Sequence, residues 1–136
     1  MTTRVLLLPE LSSIHALLTR LRMLVHAFIR SECEEAAMRI ALSDAAPLYR
    51  DAPEAREARA SADPTVRAFM QEVLPKATDA TRVLAGELIT TTLSAVGKEF
   101  SERARTAAEI DACADAIADM FCAYLRSLGR KTSAHQ

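Results

Sequence analysis

His15, Arg22 and His26 fall on one flank of a single helical stretch near the start of this 136-residue chain, beside an apolar stripe. The two histidines share a face, but eleven residues separate them, about 16 Å along a helix axis. They do not share a metal ion. Cys113 and Cys122 lie nine residues apart and roughly opposite around a helix, so they do not either. Asp111, Asp115 and Asp119 form an acidic row at i, i+4 and i+8. Carboxylates on one helix rarely close a coordination shell, and the row reads as a solvated outer face. Cys33 has Glu34 and Glu35 beside it, which disfavours its thiolate, although a helix N-terminus pulls the other way. It reads as a structural thiol. No GxSxG, HExxH, Gly-rich phosphate loop or Ser-His-acid spacing is present. The expectation is no catalytic residue, no metal, no cofactor and no enzyme.

Ligand binding is a different matter. A polar row beside a hydrophobic seam is either the rim of a core or the wall of a pocket, where a few polar groups orient a mainly apolar compound. Met23, Met38, Phe69 and Met70 suit such a wall because Met repacks around varied shapes, although Met at helical spacing is also ordinary core filler. His26 would donate to or accept from a ligand carbonyl or hydroxyl. The ligand-binding residues expected are therefore Met23, His26, Met38, Phe69 and Met70, in a space between the first helix and a helix over 64–74.

Helices must position these residues. Pro9 predicts an extended arm over residues 1–11, and Ser12 or Ser13 caps a helix running to about Arg30. Its stripe is Ile14, Leu17, Leu18, Leu21, Val25 and Phe28. Ser31 with Glu34 reads as a capping box opening a short second helix. Residues 43–63, punctuated by Pro47 and Pro53, read as a mobile connection. Asp63-Pro64 starts the next helix, which buries Val66, Phe69, Met70, Val73 and Leu74 until Pro75 breaks it.

Two long helices follow, over about 79–103 and 106–128. The first carries one stripe of Leu84, Leu88, Thr91 and Ala95 and a second of Ile89, Leu93, Val96 and Phe100. Thr106 and Glu109 box the start of the other, which buries Ile110, Cys113, Ala114, Ile117, Phe121, Leu125 and Leu128 before Gly129 ends it. A helix apolar on two faces needs cover on two sides, and a second copy of the chain is the expected cover. A homodimer through Leu88, Leu93, Val96, Phe100, Ile117 and Phe121 follows, burying roughly 1,500 Å² or more. Residues 130–136 read as a flexible tail.

Composition sets the limits. Half the residues are hydrophobic, yet the chain has four Phe, two Tyr and no Trp, so Ala, Leu, Val and Ile dominate. That is helical composition, and with no strand-like alternation the fold is expected to be all-α. Seventeen Lys and Arg against eighteen Asp and Glu give a net charge of −1 with no dense basic block. Direct DNA binding by this chain is not expected. Three cysteines without CxxC spacing fit a reducing compartment. Leu88 to Gly97 is too short to span a bilayer, and no signal peptide is readable. A cytoplasmic protein without membrane contact is expected.

The central "LLTRLRMLVHAFIRS", the following "AAMRIALSDA" and the closing pair "VLAGELITTTLSAVGKEFSER" and "TAAEIDACADAIADMFCAYLRSLG" resemble the C-terminal effector-binding and dimerisation domain of the TetR/AcrR family of transcriptional regulators. The likeness spans roughly residues 12–129 and is one of pattern. It implies about five helices, with the last two forming a dimeric four-helix bundle and the middle ones enclosing a small-molecule pocket. The helix-turn-helix head of that family has no counterpart in "MTTRVLLLPEL". The expectation is a ligand-sensing and dimerisation domain for a small apolar effector, without its own DNA-binding head. The alternative is an interaction module that dimerises or pairs with a full-length relative and binds no small molecule.

Overall fold

The structure, a computed structural model, describes the backbone of residues 2–42 and 63–134. Among these residues it is all helix: α1 (Thr2–Leu42), α2 (Asp63–Val73), α3 (Asp79–Ser101) and α4 (Ala107–Ala134). Among the described residues four helices stand where five were expected, because the first two are one. Neither Gly nor Pro occurs between Leu11 and Ala46, so nothing stops the chain at Ser31. A capping residue marks a helix start only where the preceding turn has ended, and here α1 runs straight through Ser31 and Glu34. The expected extended arm over 1–11 is likewise helical from Thr2. Pro9 costs α1 one amide hydrogen bond without ending it, and the flanking leucines are strong helix formers. The connection expected over 43–63 lies outside the described residues apart from Asp63, which opens α2 as anticipated.

Local stops and starts elsewhere follow the side chains. α2 ends at Val73, just before Leu74-Pro75, since the residue before proline is pushed out of the helical region. Thr78 accepts the Thr81 amide at 3.2 Å and caps α3. Thr106 and Glu109 form the expected capping box: the Glu109 amide donates to Thr106 Oγ1 at 3.1 Å and the Thr106 amide to Glu109 Oε1 at 2.9 Å. The backbone bond from Thr106 holds the Glu109 carboxyl below its ordinary range. The stability this adds is full above the ordinary carboxylate range and is lost as pH falls through the lowered value. The expected end at Gly129 and free tail are corrected, since α4 continues to Ala134. Gly129 has no positive φ, so it makes no left-handed cap.

The core lies where α1 crosses the other three helices. Leu17, Leu18, Leu21, Val25 and Ile29 of α1 meet Met70, Val73 and Leu74 from α2 and its end, Ala85 and Ile89 of α3, and Ala114, Ile117, Ala118, Phe121, Cys122 and Leu125 of α4. α4 packs chiefly on α1 and only marginally on α3, so α1 holds the closing pair together within the protomer.

Glycine sets one of these contacts. A Cβ on Gly97 would stand 2.9 Å from Cε1 of the Phe28 ring, so only glycine lets α1 and α3 approach this closely. Gly129 has nothing within 4 Å. Opposite signs are expected for the same chemical change. Gly97→Ala should destabilise by about 1–3 kcal/mol through overpacking, despite the helix propensity gained. Gly129→Ala should stabilise by roughly 0.5–1 kcal/mol. Thermal melts of the two variants beside the parent protein check the pair.

Candidate functional site

Helices α2 and α3 enclose a groove with a cavity of about 400 Å³. Its apolar floor is Val66 and Met70 from α2 with Val83 and Gly86 from α3. Gly86 makes the groove possible at this spacing. A Cβ there would lie 3.1 Å from Val66 Cγ1 and 3.6 Å from Met70 Cγ. Thr90, one turn on, lines the groove and turns its hydroxyl back to the Gly86 carbonyl at 2.8 Å.

Charge rings the floor in balance. Arg67, Arg82, Asp79 and Glu87 complete the lining with the neutral Gln71. Arg82 is already engaged: Nε donates to the Leu74 carbonyl at 2.8 Å, Nη2 to the Pro75 carbonyl at 2.7 Å and Nη1 to Asp79 at 3.2 Å. The guanidinium thus caps the carbonyl end of α2 and fixes the turn that closes the groove. An ion entering this balanced ring gains little net attraction, whereas an apolar neutral compound gains the floor.

The five residues expected to bind a ligand do not come together. Met70 is buried and lines the groove. Phe69 packs against the core instead. Met23 and Met38 are exposed at 65% and 63%. His26 does not face α2: its Nε2 lies 2.7 Å from Asp115 Oδ1, on α4. The cavity therefore opens between α2 and α3, not between α1 and α2. His15 is exposed. The groove residues that sequence reasoning missed carried one signal, the small pair Gly86 and Thr90 one turn apart, which marks a close approach by another helix.

The acidic row is also corrected. Asp115 and Asp119 pair with α1 rather than only with water, Asp119 accepting from Arg22 Nη2 at 2.6 Å. Cys33 and Cys113 are half-buried, and burial is the main cause that pushes both thiols above their ordinary range. Of the neighbouring acids, Glu32 and Glu34 raise the Cys33 thiol further, by less than burial does.

The residues expected at a dimer interface divide into three groups. Leu88 is 46% exposed and belongs to an uncovered stripe with Leu84, Thr91 and Ala95. Leu93, Val96 and Phe100 are partly buried against the protomer's own core. Ile117 and Phe121, each 5% exposed, lie within that core. Their place on the exposed side of α4 is taken by Ala112, Ala116, Met120 and Ala123, at helical spacing and all exposed. No described helix is long and apolar enough to cross a membrane.

Compared with models of protein families, residues 16–128 match the one described as "Tetracyclin repressor-like, C-terminal domain". No curated protein matches the chain.

Proposed function

The chain belongs to the tetracyclin repressor-like C-terminal domain family, which is regulatory and non-enzymatic, and we propose that it senses a small apolar effector and pairs with a second copy of itself in the cytoplasm. The observation that carries this reading is the division of labour on α3. One side of that helix, with Val83, Gly86 and Thr90, lines the groove, while Leu84, Leu88, Thr91 and Ala95 are left uncovered on another. At 100° per residue the two sides are roughly a third of a turn apart on one rigid rod. A compound seated in the groove and a partner seated on the stripe would thus touch the same helix.

The effector is neutral and mainly apolar, because the ring around the groove sums to zero charge and its floor is aliphatic. Its action is a population shift: by binding one arrangement of α2 and α3 more tightly, it favours that arrangement in both copies. DNA reading belongs to another unit that the paired domains carry or meet.

Thermal shift measurements with a panel of neutral apolar compounds test the sensing half. A compound that binds only the folded state raises the melting temperature with concentration. Val83→Asp is the informative variant. Val83 lines the groove but is 50% exposed, so a carboxylate there is tolerated by the fold and opposes an apolar ligand. Loss of the shift in Val83→Asp is expected. A shift that survives it unchanged would put the ligand elsewhere, and no shift with any compound would favour an interaction module instead.

A further inference from the structure

The groove between α2 and α3 is closed at one end, where residues 74–78 turn the chain from one helix into the other. Arg82, in the first turn of α3, lines that end. It differs from the other charged and amide side chains of the lining. Arg67, Gln71, Asp79 and Glu87 are exposed, whereas only 19% of the Arg82 side chain is. A donor withheld from water has more to gain from a ligand than one that water already serves.

A guanidinium carries five N–H donors in one rigid plane. Three of those on Arg82 are used: Nε donates to the Leu74 carbonyl, Nη2 to the Pro75 carbonyl and Nη1 to Asp79. The two left over, one on each terminal nitrogen, have no partner among the described residues. The two carbonyls hold the plane from the end of α2, at 2.8 and 2.7 Å. The spare donors are therefore fixed in place before anything binds, and a ligand that accepts from them has little ordering to do.

We infer that Arg82 is the polar anchor of the groove and that the effector carries a neutral carbonyl-type acceptor, such as a ketone, ester, lactone or amide oxygen, at the closed end. The inference rests on the sensing role proposed above and adds the chemical class of the effector. The apolar body of the compound lies along Met70, Val83 and Gly86. A neutral oxygen suits the place better than a carboxylate. Asp79 already balances the guanidinium charge at 3.2 Å, so an anion that gave up its water over the aliphatic floor would find no uncompensated cation. A carbonyl oxygen needs only the spare N–H groups. Because the same guanidinium holds the Leu74 and Pro75 carbonyls, a ligand drawing on it acts on the turn that joins α2 to α3.

Three probes of matched chain length test this: methyl heptyl ketone, its isostere with C=CH2 in place of C=O, and octanoate. Titrations of the full chain are followed by nitrogen-15 NMR, reading the backbone amides of Val83 and Gly86 and the side-chain N–H signals of Arg82. The ketone should bind roughly tenfold more tightly than the isostere, as a hydrogen bond from a charged donor provides. Of these two, the ketone alone should shift the Arg82 signals. Octanoate should bind no more tightly than the ketone. In Arg82→Lys the advantage of the ketone should shrink severalfold, whereas Arg67→Lys on the rim should keep it. Should Arg82→Lys fail to fold, ketone against isostere in the parent protein still decides. Equal affinities, with Gly86 shifted and Arg82 untouched, overturn the anchor and leave an apolar sensing groove standing. Tighter binding of octanoate overturns the neutral acceptor. No shift at Gly86 with any probe overturns the sensing role, and the anchor with it.

Discussion

Replacing Leu88 with Asp is expected to turn a dimer into folded monomers. Leu88 touches little of its own protomer and lies on the exposed stripe with Leu84, Thr91 and Ala95. The substitution therefore leaves the core of each chain intact. In a two-fold dimer the change is met twice, and each carboxylate must lose water or hold the surfaces apart. A dissociation constant weakened at least 100-fold, about 2.8 kcal/mol, is a modest expectation for a central anchor. Sedimentation velocity over a concentration series reads the dissociation, and circular dichroism at 222 nm should show the helices unchanged.

Phe121→Ala should do the opposite: it unfolds rather than dissociates. Phe121 is 5% exposed and packs among the residues where α1, α3 and α4 converge. Truncating a buried phenylalanine costs about 3–5 kcal/mol, the lost transfer energy plus the cavity left behind. Against a total of roughly 5–15 kcal/mol for a domain, that is a large fraction. The urea midpoint should fall accordingly at fixed protein concentration. Were Phe121 a partner-facing residue, as the sequence suggested, its truncation would instead weaken pairing while leaving the fold nearly as stable as before.

The contrast between Leu88 and Phe121 shows what the sequence made legible. Two apolar stripes on α3 were readable from spacing, and the structure leaves Leu84 and Leu88 uncovered while Ile89 is buried. Which stripe met the protomer's own core was not readable. That depends on α1, whose long buried row occupies the faces of Ile117 and Phe121. On α4 the wider apolar face was taken for the pairing side. The exposed side is instead built from alanines and Met120, whose small size gave little hydrophobic signal. Family membership and the all-helical class were legible. So was the Thr106–Glu109 box, because its two hydrogen bonds depend only on residues three apart.

The candidate site was less legible, and for a related reason. His26 drew notice as a polar group beside an apolar stripe, which describes a pocket wall and a helix-helix seam equally well. Only the partner decides, and the partner is Asp115, eighty-nine residues away in sequence. Likewise the acidic row carried no sign of Arg22 and His26, since nothing local relates them. Gly86 was noted as a small residue. Its use became apparent only when α2 was seen lying against it, so close that a Cβ there would crowd Val66 Cγ1 at 3.1 Å.

Native mass spectrometry of the purified chain tests the central claim most directly, because one spectrum reads both pairing and ligand. At micromolar concentration the dominant species should have twice the 14.8 kDa chain mass. After incubation with a neutral compound that raises the melting temperature, each protomer should carry one added molecule, absent from Val83→Asp. A spectrum dominated by the 14.8 kDa monomer, with no compound retained, would contradict it.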